Sequence, residues 1–244
     1  MTHTRRQLQA LLAERGVTPS RALGQNFVVD PNTVRRIARL AGVGPGDHVV
    51  EVGAGAGSLT LALAETGASV VALELDRHVL PVLRESVEPL GAQVQVVEGD
   101  AMALDWPALL SGAAAWTLVA NLPYNVATPL VLDLLEGAPT IARMLVMVQR
   151  EAGERLVAEP GSRTYGIPSV RVAYRATARL VGRVGPDVFL PRPRVDSVLV
   201  GEVERHHLGV DEVIAVVPAT RDPQRQRQLR RRDHLRHRRR PPRR

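Results

Sequence analysis

Short apolar runs and amphipathic stretches alternate along most of this chain. His48 to Val52, Ser69 to Leu75, Val94 to Glu98, Trp116 to Asn121 and Met144 to Gln149 are rich in Val and Leu and read as buried strands. Between them, Ser58 to Glu65, Arg77 to Val87, Thr128 to Leu135 and Glu151 to Ala158 carry helical spacing. Near-continuous apolar strands separated by helices predict an α/β fold with a mostly parallel sheet covered by helices on both faces. Ala176 to Val184 and Val195 to Glu204 read as two further strands joined through Gly185 to Pro193. One of them fits as a seventh strand inserted antiparallel beside the parallel set. Ligands of such sheets bind outside the carboxyl ends of the strands, so the informative residues should follow strands directly.

Ahead of this core lies a helical segment with a loop at Leu23 to Phe27 and a helix from Pro31 to Ala41. The predicted division is a helical N-terminal segment (1–46), a core domain (47–205) and a C-terminal remainder (206–244). No internal repeat of solenoid length is present.

Composition narrows the class. The 244 residues are enough for one sizeable core domain plus an appendage, and 45% of them are hydrophobic. The apolar run around Leu59 to Leu63 is too short to span a bilayer, and Met1 to Leu12 lacks the apolar core of a secretory signal. With no Cys there is no disulfide framework, thiolate metal site or thiol nucleophile. Together these favour a cytoplasmic protein without membrane or metal.

Net charge is +7, which suggests a nucleic-acid partner until it is divided along the chain. Residues 221–244 hold 12 Arg and 2 Asp, a net of +10, which leaves 20 basic and 23 acidic residues, a net of −3, in the other 220. The body is mildly acidic and the basicity lies in the tail, where composition predicts disorder. All 32 basic residues are Arg, so any phosphate contact must come from Arg or from backbone amides.

Glu51-Val-Gly-Ala-Gly-Ala-Gly57 follows a strand and opens a helix. Glycines there permit a tight turn and close approach of backbone to a ligand, beside the free amides of a helix N-terminus. The spacing G-x-G-x-G differs from the dinucleotide fingerprint G-x-G-x-x-G, whose third position is Ser58 here, and this disfavours a nicotinamide oxidoreductase. Glu74 ends the next strand, where a carboxylate suits ribose hydroxyls. Asp100 ends the third, where one could meet an adenine amine. A Gly-rich turn for another nucleotide ligand is the alternative.

Asn121-Leu-Pro-Tyr124 follows the fourth strand. An exocyclic base amine is a poor nucleophile because its lone pair is delocalised into the ring. Two acceptors for its N–H bonds favour the pyramidal nitrogen that attack requires. The Asn121 amide oxygen and the carbonyl of Leu122 or Pro123 supply them, the proline fixes the loop, and Tyr124 offers a stacking face for a flipped base. The plainer alternative is a strand-to-helix turn with Asn121 as the helix cap.

Taken together, these motifs resemble the ribosomal RNA adenine dimethyltransferases, most closely the type that acts on 16S RNA of the small subunit. The resemblance runs from about Arg21 to Val203. It includes Leu23-Gly-Gln-Asn-Phe27, the loop Glu51 to Thr60, Glu74, Asp100-Ala101 and Asn121-Leu-Pro-Tyr-Asn125. It extends to Met147-Val-Gln-Arg-Glu151, Thr164-Tyr-Gly166 and Phe189-Leu-Pro-Arg-Pro-Arg-Val-Asp-Ser197. It implies a Rossmann-like class I S-adenosylmethionine methyltransferase fold with a seven-stranded sheet. It further implies S-adenosyl-L-methionine as cofactor, and dimethylation of two adjacent adenosines in a hairpin loop of 16S rRNA by a monomer working on the small ribosomal subunit.

By that resemblance Gln25, Asn26, Phe27, Gly53 and Gly55 border the methionine end of the cofactor. Glu74 would bind its ribose and Asp100 its adenine, with Leu75, Ala101 and Asn121 also cofactor-binding, and Asn121 with Leu122 and Pro123 would hold the target amine. Tyr124 and Phe189 would sandwich the flipped adenine; Phe189 as an apolar plug and Gln25-Asn26 as a solvated turn are the plainer alternatives. The family continues into a small helical domain, whereas here helix-forming sequence gives way near Val216 to Arg221 to an Arg-rich run, read as a shifted reading frame or a basic arm. Rival functions are a macrolide-resistance type methylating 23S RNA and a catalytically weak RNA-binding assembly factor. Leu23-Gly24 and Thr164-Tyr-Gly166 look more like the small-subunit type.

Overall fold

The computed structural model describes residues 2–20 and 23–205. The Arg-rich tail and its expected disorder lie outside the described residues. Along the chain run α1 (Arg5–Glu14), β1 (Phe27–Val28), α2 (Pro31–Ala41), β2 (His48–Val52), α3 (Ser58–Ala64), β3 (Ser69–Glu74) and α4 (Leu80–Val87). They are followed by β4 (Val94–Glu98), α5 (Trp106–Leu109), β5 (Trp116–Asn121), α6 (Ala127–Gly137), β6 (Ile141–Gln149), α7 (Arg150–Leu156), α8 (Ile167–Arg175), β7 (Ala176–Val184), β8 (Phe189–Leu190) and β9 (Ser197–Arg205).

Seven strands form one sheet in the order β4-β3-β2-β5-β6-β9-β7. The first five are parallel, and β9 is antiparallel to both β6 and β7. The expected antiparallel insertion is therefore β9. The strand order reverses between β2 and β5, and the crevice at their carboxyl ends is where such a sheet admits a ligand.

Strand side chains alternate between two cores. Val50, Val52, Leu118, Ala120, Val146 and Val148 face one layer, packed against Leu130, Val131 and Leu134 of α6, Leu156 of α7 and Val172 of α8. Val49, Val70, Ala72, Val119, Leu145 and Met147 face the other, packed against Val34 and Ile37 of α2, Leu59 and Leu63 of α3, and Leu83 of α4. Helices therefore cover both faces of the sheet. No helix among the described residues is long and apolar enough to cross a membrane.

Local chemistry sets the helix ends. Asp30 caps α2 by accepting from the Thr33 amide at 2.9 Å, Pro31 fills the first turn, and Gly42 closes it in the left-handed region. Thr4 and Gln7 form a capping box on α1, whose buried Leu8 and Leu12 join Phe27, Ala56 and Val82 in a third cluster.

Several elements depart from the sequence reading. Strand β6 begins at Ile141 rather than Met144, β9 at Ser197 rather than Val195, and α4 at Leu80 rather than Arg77. Helix α8 was not expected, and three of its apolar side chains explain why: Ile167, Val170 and Tyr174 are exposed, so their spacing marks no core face. Strands β1 and β8 form a separate antiparallel pair, Val28 opposite Phe189, that the sequence did not announce.

Helix α7 approaches β9 closely at Gly153, where an added Cβ would lie 2.3 Å from a Val198 methyl and 3.2 Å from Val148. Gly153→Ala should therefore lower unfolding stability by about 2 kcal/mol through overpacking. Denaturant melts of the two proteins measure it, and an unchanged midpoint would contradict the packing.

Candidate functional site

The Gly-rich turn is pinned to the end of β3. Gly53 and Ala54 donate their amides to the Leu73 carbonyl at 2.9 and 3.0 Å. Glu74 then takes three more amides: Oε2 accepts from Gly55 at 2.7 Å, and Oε1 from Leu75 and Asp76 at 2.9 Å each. A carboxylate offers about four acceptor positions, so one remains, on Oε2. Burial pushes the Glu74 carboxyl above its usual range, the three amides pull it back, and Asp76 adds a like-charge push. Gly55 is required twice over: its φ is +57°, and a Cβ there would lie 2.8 Å from the Phe27 ring.

The loop before β1 is wired into the same turn. Gln25 accepts from the Ser20 amide at 2.7 Å and donates to Asp76 Oδ2 at 2.8 Å. Asn26 donates its side-chain amide to the Gly24 carbonyl at 3.0 Å, and its own carbonyl accepts from Asn121 Nδ2 at 2.9 Å. Gln25 and Asn26 are thus bound into the protein rather than forming a solvated turn. Both still border the cavity.

Asn121 sits at the carboxyl end of β5. Because its Nδ2 is committed to Asn26, its Oδ1 is the end left for the cavity. The two candidate carbonyls differ in the hydrogen bonds they already accept. The Pro123 carbonyl accepts from the Val126 and Ala127 amides, at 3.2 and 3.0 Å, at the start of α6. The Leu122 carbonyl has no hydrogen-bond partner among the described residues. The Leu122 side chain is buried in the core, and its amide is tied to Met147 at 3.0 Å. Tyr124 is partly buried. Its hydroxyl is enclosed without a well-formed hydrogen bond, and burial pushes its pKa up.

These residues surround a cavity of about 160 Å³. Gln25, Asn26, Phe27, Gly53, Gly55, Glu74, Leu75, Asp100, Ala101, Asn121, Leu122, Pro123 and Tyr124 all line it. Asp100 uses one oxygen to accept from Met102 N at 2.9 Å, leaving the other available. Leu75 and Met102, 50% and 43% exposed, supply apolar surface at the wall. Met102, Asn125, Val126 and Leu130 were missed by sequence reasoning; the first three follow a motif directly, and Leu130 lies one turn into α6. Glu74 and Asp100 are the charged side chains among the described lining residues, which include no Arg or His. Such a lining suits a cationic or neutral polar ligand and opposes a phosphate.

Phe189 is a correction. It is 1% exposed, lies in the same buried cluster as Val28, Val34, Val184 and Leu199, and is not among the described residues that line the cavity. The β1–β8 pairing holds it there, and Arg5 Nη2 donates to the carbonyls of Asp187 and Phe189 at 2.6 and 3.1 Å. In this state it is the apolar plug, and Phe27 and Tyr124 are the rings among the described lining residues.

The sheet order and the crevice at its reversal define a Rossmann-like methyltransferase fold of class I. The sequence matches the family described as ribosomal RNA adenine dimethylase over residues 18–215, and the chain belongs to that family. A ribosomal RNA small subunit methyltransferase A from Bifidobacterium longum subsp. infantis is 49% identical over 199 residues, covering 79% of this chain and 65% of that protein. Its namesake from Kineococcus radiotolerans is 50% identical over 216 residues, covering 85% and 71%. The chain thus spans about 65% of the length of the Bifidobacterium relative. Among solved structures, a dimethyladenosine transferase from Plasmodium falciparum superposes with a TM-score of 0.65 at 26% identity, over 76% of this chain and 64% of that one. The 23S rRNA methyltransferase ErmE also gives 0.65, at 27% identity, over 78% and 75%.

Beneath the turn, Glu51 is 1% exposed and accepts from the Thr60 hydroxyl at 2.6 Å. Burial pushes its carboxyl up to about 8, with Thr60 opposing and Glu74 adding to the rise. A carboxyl raised in the folded state adds stability that is fully present below its unfolded value of 4.5 and is lost as pH climbs through about 8. Glu51→Gln stays neutral throughout, so its stability relative to the parent should rise by on the order of 2 kcal/mol between mildly acidic and mildly alkaline pH. Paired denaturant melts across that range test it, and a pH-independent difference would refute the buried neutral acid.

Proposed function

We propose that this protein is an S-adenosylmethionine-dependent adenine-N6 dimethyltransferase acting on two adjacent adenosines in a hairpin loop of 16S rRNA. The observation that carries this reading is the pair of open acceptors at the end of β5, Asn121 Oδ1 and the Leu122 carbonyl, beside a half-buried Tyr124. An exocyclic amine has two N–H bonds to give, and two fixed acceptors match them while leaving the nitrogen lone pair free for attack. A loop adenosine is cheap to unstack, and the Tyr124 ring face gives the flipped base a surface to lie against.

The cavity fits the cofactor on its donor set. The remaining acceptor position on Glu74 suits a ribose hydroxyl, the free Asp100 oxygen suits an adenine amine, and Leu75 with Met102 suits a purine plane. The absence of a cation among the described lining residues suits a ligand without phosphate. When bound, S-adenosylmethionine supplies an electrophilic methyl on a positively charged sulfur. The work of the protein is to hold the amine on Asn121 and Leu122 within reach and in line, with no metal and no covalent enzyme intermediate.

The curated relatives named for the small ribosomal subunit favour 16S RNA as substrate. The likeness to ErmE makes 23S RNA the second reading. Labelled S-adenosylmethionine, small subunits lacking the modification, and mapping of the labelled base separate the two. Label on the two loop adenosines is expected; label on guanine, on large-subunit RNA only, or nowhere would count against the proposal. Asn121→Ala should lower transfer by at least about a hundredfold with the cofactor Kd nearly unchanged, as expected when an interaction of the reacting group is removed. Glu74→Ala should instead weaken cofactor binding first, read by titration calorimetry. Equal loss of both properties in Asn121→Ala would undo the division of roles.

A further inference from the structure

The geometry points to a latch between Gln25 and Asp76 that fixes the amide orientation of the acceptor residue Asn121. Gln25 and Asp76 act here as positioning residues, and the inference rests on the proposed methyl transfer only for its kinetic consequence. Both ends of the Gln25 amide are committed, Oε1 to the Ser20 amide at 2.7 Å and Nε2 to Asp76 Oδ2 at 2.8 Å. Turning that amide over would set its oxygen against a carboxylate and its NH2 against an N–H donor, so one orientation is enforced. Asp76 is held in turn: it is 9% exposed, and its other oxygen accepts from the His78 amide at 2.9 Å. Its own amide donates to Glu74 Oε1, also at 2.9 Å.

The next residue after Gln25 carries the consequence. The Asn26 carbonyl is the acceptor for Asn121 Nδ2 at 2.9 Å, across 95 residues of sequence. That single bond decides which end of the Asn121 amide is left for the cavity. An outward shift of loop 23–26 by about 1 Å would take the contact beyond hydrogen-bond range and leave the Asn121 amide free to turn over. Two other restraints hold the loop. Gly24 lies against Pro123, 3.2 Å from its own Cβ position to the proline Cβ, and the Phe27 ring sits on Gly55. The loop is therefore a strut between the carboxylate cluster at the end of β3 and the acceptor amide at the end of β5. It also explains why Gln25 borders the cavity with neither end of its amide free.

The test is a swap of donor and acceptor. Gln25→Glu sets two carboxylates together, and Asp76→Asn sets two amide donors together. The double variant Gln25→Glu/Asp76→Asn restores one hydrogen bond with its direction reversed. In it, the carboxylate at position 25 still accepts from the Ser20 amide, and the amide oxygen at position 76 still accepts from the His78 amide. In the 15N-labelled full chain, the side-chain NH2 signal of Asn121, assigned by its loss in Asn121→Asp, reports the orientation without any turnover. Each single variant should shift or broaden that signal and lower kcat by about tenfold, with a smaller change in the Kd for S-adenosylmethionine. The double variant should recover both. An Asn121 signal unmoved by either single variant would overturn the latch, as would a double variant as impaired as the singles combined. A wild-type protein that transfers no methyl group would sink the proposed function and leave the amide signal to judge the latch.

Discussion

Three segments meet on the carboxylate of Glu74: the Gly-rich turn through the Gly55 amide, the end of β3 through Leu75, and the start of the next loop through Asp76. Burying that group is costly, and three amides offset the cost. The arrangement also sets the geometry of what surrounds it. With Gly55 held to Glu74, the turn keeps the left-handed backbone that gives the Phe27 ring its seat. With Phe27 seated and Gln25 tied to Asp76, the loop between them presents its carbonyl to Asn121. A carboxylate at the end of β3 and an amide at the end of β5 are thus parts of one hydrogen-bonded and packed assembly. Glu51, neutral beneath the same turn, avoids placing a second buried negative charge next to Glu74.

The chemistry legible in the sequence was the local part. Glu51 to Gly57, Glu74, Asp100 and Asn121 to Tyr124 each lie at or just after the end of a Val- or Leu-rich strand, and a parallel sheet brings all those strand ends to one edge. Knowing the fold class was therefore enough to gather them. What was not legible depended on partners far along the chain. Phe189 is a motif residue, yet its place is set by pairing with Val28, 161 positions away, and by an arginine of α1. The roles of the Leu122 and Pro123 carbonyls looked interchangeable until α6 claimed one of them. Helix α8 escaped notice because Ile167, Val170 and Tyr174 point to solvent, so hydrophobic spacing there reports no core.

Charge was the most misleading signal in the chain and becomes informative only at the scale of the site. The net +7 arises from residues 221–244, whereas the cavity is lined by Glu74 and Asp100, with no cation among its described lining residues. Under the proposed function the same opening must take a polyanionic RNA loop and a cationic cofactor. A cavity with carboxylates on the cofactor side draws in the sulfonium and repels phosphate, so the RNA backbone stays outside and the uncharged base alone enters. Uncharged groups then do the holding at the acceptor end: an amide oxygen, a main-chain carbonyl and a phenol ring. Such neutral groups would bind an adenine amine without drawing the phosphates in. A carboxylate in place of Asn121 would lose the donor that anchors it to Asn26 and add negative charge where the nucleic acid must approach. An amide carries its donor and its acceptor on two separate atoms, so under the proposed function Asn121 can donate to the loop carbonyl and accept from the base at once, which is the physical reason an asparagine suits that strand end.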